Sequence, residues 1–94
     1  PFSMKLAVKS PSGPVTVETA SIHKPGRHTF TITQANGATL RRAALLVGKS
    51  VQWGLSLREL GVPEGGQFQI QLHLLDGAVE RERYPERSMI SLCA

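Results

Sequence analysis

The sequence predicts an all-β domain, an immunoglobulin-like antiparallel β-sandwich of about seven to eight strands. Three observations carry that prediction. Apolar residues recur with period two, most clearly where Phe68, Ile70, Leu72 and Leu74 alternate with Gln67, Gln69, Gln71 and His73. The alternating runs are separated by residues that set turns: Ser10-Pro11-Ser12-Gly13-Pro14, Lys24-Pro25-Gly26, Asn36-Gly37, Pro63-Glu64-Gly65-Gly66 and Asp76-Gly77. The breaks fall roughly every 8 to 12 residues, the rhythm of short strands in a sandwich.

Each strand follows from its own residues. Phe2, Met4, Leu6 and Val8 alternate with Ser3, Lys5, Ala7 and Lys9, giving a half-buried first strand. Val15 and Val17 begin a second strand running through Thr19 towards Ile22. Thr29-Phe30-Thr31-Ile32-Thr33 has the Thr and aromatic content of a pleated surface. Leu40, Ala43, Ala44 and Val47 also fit a helical i, i+3, i+4, i+7 pattern. The stretch is short and bounded by Gly37 and Gly48, so a strand is expected there. Val51, Trp53, Leu55 and Leu57 alternate as the next strand. Ser56 to Leu60 then offers one helical turn, with Ser56 and Glu59 spaced as a capping box and Gly61 as its left-handed terminator.

After Asp76-Gly77, neither face of Val79 to Tyr84 is apolar, which reads as an edge strand blunted by charge. Met89, Ile90, Leu92 and Cys93 close the domain, Cys93 being expected as a small buried apolar side chain.

Composition narrows the functional classes. The chain has 94 residues, which makes it one domain near the lower end of what folds on a single core. Its net charge of +4 is spread along the sequence, and its aromatics are three Phe, one Trp and one Tyr. Nucleic-acid binding wants clustered cations with interleaved aromatics, so that class is not expected. No apolar run approaches the roughly 20 residues of a membrane-spanning helix, and no membrane association is expected. A single cysteine excludes an internal disulfide, and a cytoplasmic setting is expected. The start, Pro1-Phe2-Ser3-Met4, shows neither an initiator Met nor a signal peptide. The chain therefore reads as a processed product or a piece of a longer protein.

Candidate sites are few, and each has a plain structural counterpart. Trp53 offers a flat platform for a sugar ring, but its register with Val51 and Leu55 points into the core. Gln67, Gln69, Gln71 and His73 form a polar row suited to sugar hydroxyls, and equally to a contact with a neighbouring domain. His23 and His28 bracket a turn and could approach a zinc ion, yet no third ligand has matching spacing. Glu80 and Glu82 are expected on one face about 7 Å apart, but a charged edge strand gives no cleft to separate their acidities. No catalytic residue, cofactor or metal is therefore expected.

The segment from Val51 to Leu92 resembles the C-terminal β-domain that follows the catalytic barrel in family 57 glycoside hydrolases, and related carbohydrate-binding sandwiches. The matching features are Leu57-Arg58-Glu59-Leu60-Gly61, Pro63 with Gly65-Gly66, Phe68 to Leu74, Asp76-Gly77, Glu82-Arg83-Tyr84-Pro85 and Met89 to Leu92. Gln52 departs from the pattern, where an acidic residue is usual. The resemblance implies a non-catalytic accessory domain that packs on the catalytic domain of a parent chain or helps position a glucan. The alternative is a protein-interaction module working through an exposed edge strand. Either way a monomer is expected in isolation, because the Gln67–His73 face and the charged strand supply no apolar centre for an interface.

Overall fold

The strands of the computed structural model, which describes residues 1–93, fall on the alternating runs. They are β1 (Ser3–Ser10), β2 (Gly13–Thr19), β3 (Gly26–Thr33), β4 (Thr39–Val47), β5 (Val51–Trp53), β6 (Gln67–Asp76), β7 (Val79–Tyr84) and β8 (Ile90–Cys93). All are antiparallel and belong to one sheet in the order β5-β4-β3-β2-β1-β6-β7. The outer edge of β6 is shared end to end: Leu72–Asp76 pairs with β7, and Gln67–Ile70 pairs with β8. The sheet curls into a half-barrel. The ambiguous segment at Leu40–Val47 is a strand, as expected.

Register gives the sheet one apolar face. Leu6 lies opposite Val17 on one side and Leu72 on the other, while Val8 lies opposite Val15 and Ile70. Directly opposed residues share a face, so these side chains meet on the concave side with Phe30, Ile32 and Leu45. The convex face carries the polar set, in a row running Arg41, Thr31, Glu18, Lys5, His73 and Arg83.

The core is closed by a connection. β5 sits at one edge of the sheet and β6 beyond β1, so residues 54–66 must cross β4, β3, β2 and β1, with about 4.8 Å between neighbouring strands. The connection runs over the concave face and buries Leu60 and Val62 there. Its helical turn forms as expected, with Leu60 N donating to Ser56 O at 3.2 Å and Gly61 at φ +78°. An added Cβ at Gly61 would also stand 3.0 Å from Ser10 Oγ, so glycine serves both the turn and the close approach. Glu59 does not close the capping box; its carboxylate instead pairs with Arg42 at 2.7 Å.

Two expectations are corrected. The strand expected from Val51 to Leu57 stops at Trp53. Gly54 N donates to Ala44 O at 2.7 Å, and the chain then turns away into the crossing. Cys93 is exposed rather than buried, because β8 lies at the sheet edge and pairs Cys93 with Gln67 on the polar side.

Candidate functional site

The structure separates the candidates that the sequence groups together. Trp53 lies on β5 and the glutamine row on β6, with four strands between them. They also face opposite ways, since Trp53 opposes the fully buried Leu45 while Gln71 opposes Ala7 on the convex side. No single ligand of sugar size can touch both.

The glutamine row is tied to its own neighbours. Gln69 Nε2 donates to Ser91 Oγ at 3.2 Å, and Gln71 Nε2 donates to the Pro85 carbonyl at 2.7 Å. His73 Nδ1 is hydrogen bonded to the Glu80 carboxylate, which as an anion can only accept. These bonds fasten β7, β8 and the chain between them to β6.

Glu80 and Glu82 do not share a face. A bulge between Leu74 and Leu75 puts Glu80 opposite Leu75 and Glu82 opposite Leu74, on different sides of the sheet. Glu80 joins His73 on the convex side, and Glu82 accepts a hydrogen bond from the Tyr84 hydroxyl on the other. The bond from His73, reinforced by the charges of His73, Arg83 and Lys5, holds the Glu80 carboxyl below the usual carboxylate range. Glu82 pushes the Tyr84 hydroxyl upwards.

A lowered folded-state pKa favours the ionised native form. Its stabilising contribution is therefore present above the ordinary carboxylate value and is lost as pH falls through the lowered one. In His73→Ala the Glu80 midpoint should rise towards the ordinary range, which a carbon-detected NMR titration would read. A midpoint unmoved by the substitution would show that the hydrogen bond is not the cause.

His28 Nε2 bonds to the Lys24 carbonyl at 2.8 Å, and no group of three potential ligands occurs among the described residues.

Of the hollows on the surface, one lies against the crossing and another beside β5. A cleft of about 350 Å³ lies where the crossing meets the β1–β2 and β3–β4 turns, lined by Ser12, Gln34, Asn36 and Glu59. Its polar groups are largely spent on closing the loop: Gln34 Nε2 donates to Glu59 O at 3.0 Å, and Ser12 Oγ donates to Gly61 O at 3.2 Å.

The second is a recess of about 360 Å³ beside β5, lined by Arg27, Ala43, Ala44, Leu46, Trp53 and Gly54. It arises from a bulge in β4, where Ala43 and Ala44 together stand opposite Thr29. The methyl groups of Ala43 and Ala44 and the bare backbone of Gly54 leave the hollow open. An added Cβ on Gly54 would come within 2.9 Å of Ala44 Cβ. Trp53 forms one wall while packing against Phe30, with ring centroids 5.4 Å apart and planes tilted by 56°. It therefore serves the core and the surface together, between the two roles weighed for it.

Sequence reasoning missed the apolar wing at the other end of the sheet. Tyr84, Ile90 and Leu92 oppose Leu72, Ile70 and Phe68, so all six share the concave face. The crossing ends at β6 and leaves this wing uncovered: Tyr84, Ile90 and Leu92 remain 52%, 47% and 39% exposed. Alternation identifies these residues as facing the core side, but it cannot say how far the cover extends. No known family, no curated protein and no solved structure matches the chain.

Proposed function

We propose that this chain is a non-catalytic accessory domain that packs its uncovered wing against a neighbouring domain, within a carbohydrate-active protein of the family 57 glycoside hydrolase type. The single observation that carries the docking role is the exposed apolar surface of Tyr84, Ile90 and Leu92 on the core side of the sheet, laid against the partly buried Phe68, Ile70 and Leu72. Contiguous apolar surface rimmed by charge marks sites of contact with other macromolecules. Glu82 and Arg87 stand at that rim. A layer laid on the wing by the neighbour makes the second wall of an immunoglobulin-like sandwich, with the curled sheet as the first.

Two further observations support the parent class and the absence of catalysis. The Leu57-x-x-Leu60-Gly61 element, on which the resemblance partly rests, forms a turn that ends at Gly61 with positive φ. Glu80 and Glu82, the only paired carboxylates on one strand among the described residues, are held on opposite faces. Tyr84, Ile90 and Leu92 together offer less than the roughly 800 Å² per partner of a standard interface, so the isolated domain stays monomeric.

The test replaces Ile90 and Leu92 with lysine and follows a dye that fluoresces on apolar surface. The native domain should bind the dye while fully folded, and the double variant should lose that binding at an unchanged melting temperature. Mixed with a catalytic barrel of the resembled class, the native domain should show slowed amide exchange along β8. Equal dye binding by both proteins, with no slowing on β8, would overturn the docking role.

A further inference from the structure

A different part of the molecule carries an independent inference, drawn from the opposite edge of the sheet. β5 covers only Leu45 to Val47 of β4, and Gly54 extends that cover to Ala44. Beyond it, the outer edge of β4 from Thr39 to Ala43 has no strand beside it among the described residues. Every residue of that stretch except Leu40 is exposed. Backbone donors and acceptors along such an edge form a template for an added strand.

The other long edge is protected. β7 carries Glu80, Arg81, Glu82 and Arg83, with Arg81 paired to Asp76 at 3.3 Å and Arg83 near Glu80 at 3.9 Å. The β4 edge has the reverse character. Arg41 projects on the convex side and Arg42 on the concave side, and no acidic residue lies in β4. Only Arg42 is neutralised, by Glu59; among the described residues Arg41 and Arg27 have no carboxylate within 4.0 Å. At the end of the open stretch lies the recess walled by Trp53, Leu46, Ala43 and Ala44, with Arg27 at its lip.

From these features we infer that the β4 edge binds an extended acidic peptide by strand addition. Backbone hydrogen bonds to Thr39–Ala43 hold the peptide, and its carboxylates meet Arg41 and Arg27. One apolar or aromatic side chain of the peptide fills the recess against Trp53. In strand addition the ladder supplies affinity and the pocket supplies specificity, and both parts are present here. A second copy of this chain is a poorer occupant. Pairing β4 with its own symmetry mate brings like charges together across the new ladder, which is destabilising.

Fluorescence anisotropy of a labelled peptide of about ten residues, alternating Glu and Val and carrying one Phe, tests this. The native domain should bind the peptide, and a Lys-for-Glu counterpart should not bind. Arg41→Glu and Leu46→Glu, both at exposed positions, should each weaken binding by about tenfold or more with the fold intact by circular dichroism. Methylating alternate backbone nitrogens of the peptide, on the set that faces the domain, should abolish binding, because it removes the donors of a ladder and leaves the charge unchanged. Amide exchange should slow at Thr39–Ala43 in the bound state. Equal binding of either methylated set, equal binding of the lysine peptide, or no binding at millimolar peptide would overturn the proposal. So would sedimentation showing that β4 is already covered by a second copy.

Discussion

Replacing Phe30 with alanine should destabilise the domain by about 3 to 5 kcal/mol, the usual cost of truncating a buried aromatic. Phe30 is the largest of the fully buried side chains, at 2% exposure, and sits near the middle of β3. It packs against the Trp53 ring, so its removal leaves a cavity and also takes the inner support from β5. Domains of this size have total stabilities of about 5 to 15 kcal/mol, so a loss of this kind takes a large share. The melting temperature should fall by at least about 12 °C, at roughly 4 to 8 °C per kcal/mol. Phe30→Leu keeps most of the volume and should cost about 1 kcal/mol. Thermal unfolding of both variants decides the matter. Similar small losses in each would mean that Trp53 swings inwards to fill the space.

The second large effect is expected from Leu60→Ala. Leu60 is 2% exposed and, with Val62, is one of the two buried apolar side chains of the crossing on the concave face. Its truncation should cost about 2 to 5 kcal/mol. The polar ties of the same connection are weaker. The Ser12 to Gly61 hydrogen bond is solvent-exposed, and Ser12→Ala should cost no more than about 1 kcal/mol. The two effects are told apart by amide exchange at Gly61 and Val62, which should speed up greatly in Leu60→Ala and little in Ser12→Ala. The reverse order would mean that hydrogen bonds, and not burial, hold the connection down.

The sequence made the strands legible because period two and turn chemistry are local. Phe68 to Leu74 needs no partner to declare its two faces, and Asn36-Gly37 needs none to declare a turn. It failed where the outcome depends on a partner strand. Nothing local to Val51–Leu57 says that Gly54 will lie against Ala44, so the strand was expected to run on. The bulge opposite Leu74 and Leu75 is likewise a property of two strands, and it moved Glu80 and Glu82 apart. The candidate site was legible only in fragments. Trp53 was singled out by type, whereas the recess beside it depends on Ala43 and Ala44, whose small size signals nothing until a bulge places them together. Cys93 reads as a buried small apolar side chain from its place on the last strand, but that strand lies at the sheet edge and leaves it exposed.

The pairing of β1 with β6 sets a constraint on how the chain reaches its fold. Ser3 lies opposite Leu75 and Lys9 opposite Gln69, so the ladder joins the first residues to ones more than halfway along the chain. Strands β1 to β5 can zip together in sequence through short hairpin turns, but one side of β1 must wait until β6 has been made. During synthesis, at about 5 to 20 residues per second, that interval amounts to several seconds in which Leu6 and Val8 lack one flank. Closing so distant a pair costs loop entropy before any contact offsets it, which makes this the slow step of a high-contact-order fold. Lys5 and Lys9, on the polar face of β1, keep charge on the waiting strand, a safeguard against premature pairing with another chain.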